Sequence, residues 1–160
     1  MRPRRVLVLA RRRFRHAIHW LWSQEGSAGQ RARGLAVGVF CGCYPFFGLQ
    51  IVISVAAASM VRGNHLLAAA GTLVSNPVTY VPLYWFNYLV GDHLLPESSA
   101  GSTDLSALHR SSLWDQGWEF TARLLLGSTL VGAVLALVSG LIAYRLFRRR
   151  SRAQTEAALN

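Results

Sequence analysis

The chain contains no lysine and few acids: all 17 basic residues are arginine, and Asp plus Glu number seven. Charged residues make up 15% of the sequence, against about 25% in an ordinary soluble domain. Charge is absent altogether from three windows: Gly34 to Val61 (28 residues), Gly63 to Gly91 (29) and Leu124 to Tyr144 (21). Without carboxylates, these windows cannot build the usual proton relay or cation site. A soluble fold of 160 residues could not hide all three. A bilayer core about 30 Å thick is crossed by about 20 apolar residues as a helix, so each window passes on length. The sequence predicts an all-α integral membrane protein.

Other absences narrow the function. There is no G-x-S-x-G, no phosphate-binding glycine loop and no H-x-x-x-H pair. No catalytic residue, metal site or cofactor is therefore expected, and the chain reads as non-enzymatic. Cys41 and Cys43 are one residue apart and lie in an apolar window. They are too close to pair and too few for a structural zinc, so they read as small apolar fillers. The net charge of +10 would suggest nucleic acid in a soluble protein. No recognition motif accompanies it, so no nucleic-acid partner is expected. Instead the arginines flank the windows, as orientation signals and anionic-headgroup anchors do. The N-terminus carries seven Arg in its first 15 residues. Only Val6 to Ala10 is apolar there, shorter than a signal-peptide core of about 7–15 residues, so no cleavage is expected. An organellar transit peptide is disfavoured because only Ser23 supplies a hydroxyl.

What is present reads as broken helices. Residues 11–24 form an amphipathic pattern, with Phe14, Ile18, Leu21 and Trp22 opposite Arg11, Arg12, Arg15, His16 and His19. Such a helix lies in the membrane plane; Gly26, Ser27 and Gly29 are expected to break it. The first window carries Gly34, Gly38 and Gly42 on one helix face, a groove for close helix approach. Pro45 and Gly48 then interrupt it, and Gln50 adds an amide. Two short helices follow, about 34–44 and 49–61. Arg62, Gly63 and Asn64 read as the end of one helix and the start of another, with His65 structural or interfacial. The second window repeats the plan: a short helix Leu66 to Val74, a break at Ser75, Asn76 and Pro77, and a helix from Pro77 to Val90 capped by Asn76. Tyr80, Tyr84, Trp85 and Tyr88 read as interfacial aromatics. In the third window Ser128, Gly132, Ala136 and Gly140 form a second small-residue ladder. It is expected to dock on the Gly34–Gly38–Gly42 face or on a second copy.

The resulting domain plan is a basic arm (1–26), a core of two broken segments (27–96), an acidic loop (97–118) and a transmembrane helix with a basic tail (119–160). Both termini are basic, whereas residues 92–122 hold five acids and one Arg. The positive-inside rule puts both termini in the cytoplasm. Three full spans would separate them, so one window, by choice the first, is expected to be re-entrant.

From Gly34 to Gly91 the chain resembles a bacterial inner-membrane family known only as a domain of unknown function. The resemblance lies in Gly38-x-Phe40-x-Gly42, Pro45-Phe46-x-Gly48-x-Gln50, Arg62-x-Asn64, Thr72, Ser75-Asn76-Pro77-x-Thr79, Pro82-x-Tyr84 and Gly91. It implies a helical protein of the bacterial inner membrane and carries no activity with it. Two roles follow from the residues. One is an envelope assembly or scaffold component, working with a second copy or another membrane protein. The other is a small permeation element with a polar site at the breaks, where Pro45, Gly48, Gln50, Arg62, Asn64, Thr72, Ser75, Asn76, Pro77 and Thr79 are expected to gather.

Overall fold

The structure is a computed structural model describing residues 23–46, 48–95 and 110–159. The elements among them are helical, and the amphipathic pattern at 11–22 lies outside the described residues. Helix α1 (Ala28–Gly42) starts earlier than the sequence predicts. Ser27 Oγ accepts from the Gln30 N–H, and Gln30 Oε1 accepts from the Ser27 N–H at 2.8 Å. This reciprocal box satisfies two amides that a helix start leaves free. Ser27 is thus a cap, and Gly29 lies in the first turn rather than in a break.

Helix α2 (Leu49–Met60) begins after Gly48, whose φ of 82° suits a glycine. The next corner is unexpected. Gly63 was the natural residue for a left-handed position, yet Arg62 takes it, at φ 51°. Gly63 is needed for another reason: a Cβ there would lie 2.8 Å from the Gly34 nitrogen. The Arg62 carbonyl accepts from the Arg33 guanidinium at 3.1 Å, a contact that does not use the Arg62 side chain. Arg62→Gly should therefore relieve about 1–2 kcal/mol of left-handed strain and lose about 0.4–1 kcal/mol to the freer unfolded chain, a net rise in stability of up to about 1 kcal/mol, measured as the unfolding midpoint in detergent. A lowered midpoint would show that the Arg62 side chain holds the corner.

Helix α3 (His65–Gly71) runs on as a 3₁₀ turn, Thr72–Val74. Asn64 caps it, accepting from the Leu67 N–H at 2.9 Å. After the break comes α4 (Tyr80–Leu94), which starts three residues later than predicted. Asn76 Oδ1 accepts from the N–H groups of Val78 and Thr79, and Thr79 Oγ1 accepts from the Asn76 N–H. The two side chains hold 76–79 as a turn, and the regular helix begins beyond it. Helix α5 (Arg110–Leu159) is 50 residues long. Its stretch Gly117–Arg152 is, among the described residues, the one segment long and apolar enough to cross a membrane.

Close contacts fix the directions. Gly34 meets Asn64, Gly38 meets Ala68 and Gly42 meets Thr72, a constant offset of 30 residues, so α1 and α3 run parallel. Helix α2 runs back alongside both: Arg33 Nε donates to the Val61 carbonyl at 2.8 Å, beside the start of α1. Helix α5 is antiparallel to α1, with Arg31 at Phe147, Ala36 at Gly140 and Phe40 at Gly132. It is antiparallel to α4 as well, with Gly91 at Arg123 and Asn87 at Gly127. Thus α1 and α2 form a hairpin. The pair α3–α4 continues in one direction across the break, and α5 runs the whole way back. Helix α1 covers only the C-terminal half of α5; α4 covers part of the other half.

The two ladders do not dock on each other as the sequence suggested. The Gly34–Gly38–Gly42 face takes the α3 backbone, because only glycine admits the Asn64 and Ala68 carbonyls so closely. The Gly132–Ala136–Gly140 ladder turns to a different side of α1, where Gly132 meets Phe40 and Gly140 meets Ala36. A helix has room for two partners on two faces, and spacing alone did not say which.

Burial departs from that of a water-soluble fold: beside a small apolar core at Ala32, Leu67, Ala143 and Phe147, many buried positions are polar and many large apolar side chains are exposed. Gln50, Ser54, Thr72, Ser75, Asn87 and Ser128 are buried. Met60, Val52, Val81, Trp85, Leu137 and Leu141 are exposed.

Candidate functional site

The buried polar residues gather where the α1–α2 tip meets the α3–α4 break. The Gln50 amide on the first turn of α2 and Ser75 at the break come together: Ser75 Oγ donates to Gln50 Oε1 at 3.3 Å and to the Thr72 carbonyl at 3.2 Å. Asn76 and Thr79 hold the adjoining turn, where Thr79 Oγ1 donates to the Val74 carbonyl at 2.7 Å. Pro45 is half-buried at the hairpin tip, whereas Gly48 and Pro77 are exposed.

The tip needs caps, because a helix leaves its last carbonyls free. These come from α4. The Tyr84 hydroxyl donates to the Tyr44 carbonyl at 3.1 Å, and Asn87 Nδ2 donates to the Cys43 carbonyl at 2.9 Å. Asn87 Nδ2 also donates to Ser128 Oγ on α5 at 3.0 Å. The Tyr44 hydroxyl pairs with Thr129 Oγ1 at 2.8 Å. One polar layer therefore joins the α1–α2 tip, α4 and α5, and a hydrogen bond between Tyr84 and Ser75 links it to the Gln50–Ser75 pair. Asn87 is fully buried, and its Oδ1 has no hydrogen-bond partner among the described residues.

A family model described as "uncharacterized protein conserved in bacteria (DUF2062)" matches residues 11–156. The chain belongs to this family. No curated protein and no solved structure is a match for it.

In this DUF2062 chain, two residues expected in the cluster lie elsewhere. Arg62 and Asn64 stand at the far end of α3, separated from Ser75 by about ten helical residues, or roughly 15 Å. Arg62 is exposed, and its backbone serves Arg33. Asn64 caps α3, donates to the Glu25 carbonyl at 3.0 Å and borders a polar cup of about 690 Å³ with Gln24, Gln30 and His65. Six cluster residues were missed from sequence: Tyr44, Ser54, Tyr84, Asn87, Ser128 and Thr129. Ser54 donates to its own helix, to the Ile51 carbonyl. Asn87 had a visible signal. It lies four residues before Gly91 in a charge-free window, so it shares the face that packs closest on α5. Tyr84 was read as interfacial, but its hydroxyl is spent inside the bundle.

The two ends of the bundle differ in charge. Arg31, Arg33, Arg62, Arg145, Arg148 and Arg152 stand where α1 begins and α5 ends. At the other end Asp92 pairs with Arg123 at 3.3 Å, near Glu119.

Proposed function

We propose that this is a non-catalytic integral protein of the bacterial inner membrane, an assembly or scaffold component of the envelope. The exposed apolar surface carries the membrane reading. Apolar side chains exposed over this much of a bundle would aggregate in water, whereas lipid is their natural surrounding. The first window is a re-entrant hairpin, the second a broken span and α5 a full span. The charge-free stretch Leu124–Tyr144 measures about 30 Å as a helix, the thickness of the bilayer core. The arginine-rich end then faces the cytoplasm and the Asp92–Glu119 end the outside, in keeping with the positive-inside rule.

Single cysteines at Ser99 and Ser151, in a background lacking Cys41 and Cys43, test this topology. An impermeant thiol reagent added to intact cells should label Ser99→Cys and leave Ser151→Cys untouched. Labelling of Ser151→Cys from outside would overturn it.

The scaffold role rests on the polar layer. Its donors and acceptors are mostly consumed by one another, as in a lock rather than a solute site. The partner is a second copy or another envelope membrane protein. One observation favours a permeation element instead, the unpartnered buried Oδ1 of Asn87. Purified protein in liposomes separates the two. A co-purifying membrane protein without solute flux supports the scaffold, and flux abolished by Asn87→Leu supports permeation.

A further inference from the structure

The α1–α5 seam carries a crevice that the packing of these helices does not fill. Its apolar part has a volume of about 490 Å³ and is lined by Gly29, Ala32 and Ala36 on α1 and by Ala133, Leu137 and Tyr144 on α5, among others. A second cavity, of about 630 Å³, lies further along the same seam. It is lined by Ser27 and Ala28 on α1 and by Arg148, Ser151, Arg152 and Glu156 on α5. Residues 133, 137, 141, 144, 148 and 152 recur every three or four positions, so they share one face of α5. The two cavities therefore follow one another along α5, the first mainly apolar and the second flanked by Arg148 and Arg152. The Arg148 guanidinium, beside the second, lies 6.0 Å from the Tyr144 ring, beside the first. Neither Arg148 nor Arg152 forms an ion pair among the described residues.

We propose that this crevice binds one anionic phospholipid of the cytoplasmic leaflet, with an acyl chain between α1 and α5 and its phosphate at Arg148 and Arg152. The inference rests on the membrane reading given above and deepens it. Three features select this occupant. From Ala133 to Tyr144 the helix rises about 17 Å, close to half the thickness of a bilayer core, the depth that one leaflet offers an acyl chain. Leu137, Leu141 and Tyr144 flank alanines and glycines, which leaves a shallow apolar depression beside α1. Charge complements a phosphate at the mouth, where two arginines outweigh the single carboxylate of Glu156; Arg33, beside the apolar part, has its guanidinium engaged by the Val61 and Arg62 carbonyls. Arg148 also stacks on Tyr144, so its charge is held over the point where chain and headgroup join. The mouth sits beside the charge-free window, where headgroups lie.

Native mass spectrometry of the full chain, extracted in mild detergent and titrated with phosphatidylglycerol or phosphatidylcholine, tests the proposal. One phosphatidylglycerol per chain should be retained, with phosphatidylcholine bound at least tenfold more weakly. The double variant Arg148→Gln/Arg152→Gln should lose about tenfold or more in apparent affinity, since each basic residue contributes to anionic-lipid binding. Arg148→Lys/Arg152→Lys should recover most of it. Ala133→Phe, which adds bulk to the exposed crevice wall, should abolish retention while leaving the unfolding midpoint unchanged. Equal retention of both lipids, unaltered binding in Ala133→Phe, or a dimer that resists lipid in place of a lipid-bound chain would overturn the proposal. Carbonate extraction of the same cells keeps the two readings apart. Protein that stays in the membrane pellet but retains no lipid refutes this site alone; protein released to the supernatant refutes the membrane reading.

Discussion

Gly127→Ala and Gly38→Ala are each expected to destabilise the bundle by about 3 kcal/mol, the upper end of the overpacking range. The cause is backbone, not side chain. A Cβ at Gly127 would run into the Asn87 carbonyl oxygen, and one at Gly38 into the Ala68 carbonyl oxygen. A flexible side chain could turn aside, but a helix backbone can yield only by moving the helix. At Gly127 that movement would separate α4 from α5. At Gly38 it would push α3 off the hairpin. The control is Gly117→Ala on the same long helix, where an added Cβ meets nothing within 4 Å. There alanine should stabilise by up to about 1 kcal/mol, because glycine is the poorer helix former. Reversible unfolding in mixed detergent micelles measures all three. A wild-type midpoint for either tight glycine would mean that α4 and α5, or α1 and α3, do not approach as described.

Those glycines also show how far the sequence could be read. The Gly34, Gly38 and Gly42 spacing declared a packing face, and the structure has one. It could not name the partner, because small residues admit any helix, and the choice of α3 over α5 depends on the chain turning at Arg62 and Asn64. The two breaks were legible because Pro45, Gly48 and Pro77 each alter the backbone in a definite way. The start of α1 was not, because Ser27 and Gly29 suit a loop as well as a cap, and only the reciprocal pairing with Gln30 decides. The cluster was half legible. Gln50 and Ser75 stood out as polar residues beside proline or glycine breaks. Asn87 and Ser128 sit within regular helix, where only tertiary contact reveals them. Arg62 and Asn64 were misplaced for the opposite reason: polarity in an apolar segment marks its ends as readily as its middle.

Asn87→Leu is expected to cost about 2–3 kcal/mol, and more than Tyr84→Phe. Both residues cap the tip of the α1–α2 hairpin, but they differ in what they leave behind. Removing Asn87 strips the Cys43 carbonyl of its side-chain donor and takes away the donor to Ser128. A buried polar group without a partner costs about 1–3 kcal/mol, and low dielectric around the site offers no water in compensation. Tyr84→Phe withdraws one hydroxyl from the Tyr44 carbonyl and from Ser75, at a half-buried position, and should cost about 1 kcal/mol. The leucine also removes the unpartnered Oδ1, which offsets part of the loss. The net sign therefore measures what this amide is for. If Asn87 is a lock, its loss lowers the unfolding midpoint, and the Asn87→Leu/Tyr84→Phe double variant falls short of the sum, because a tip already released by one change has less to lose from the other. If Asn87 is held for a solute, the orphan oxygen is a strained feature kept for binding. Then Asn87→Leu leaves stability equal or raised while transport in liposomes disappears. A midpoint at or above wild type would end the lock reading of the whole layer, since no other side chain in it bridges the hairpin, α4 and α5 at once.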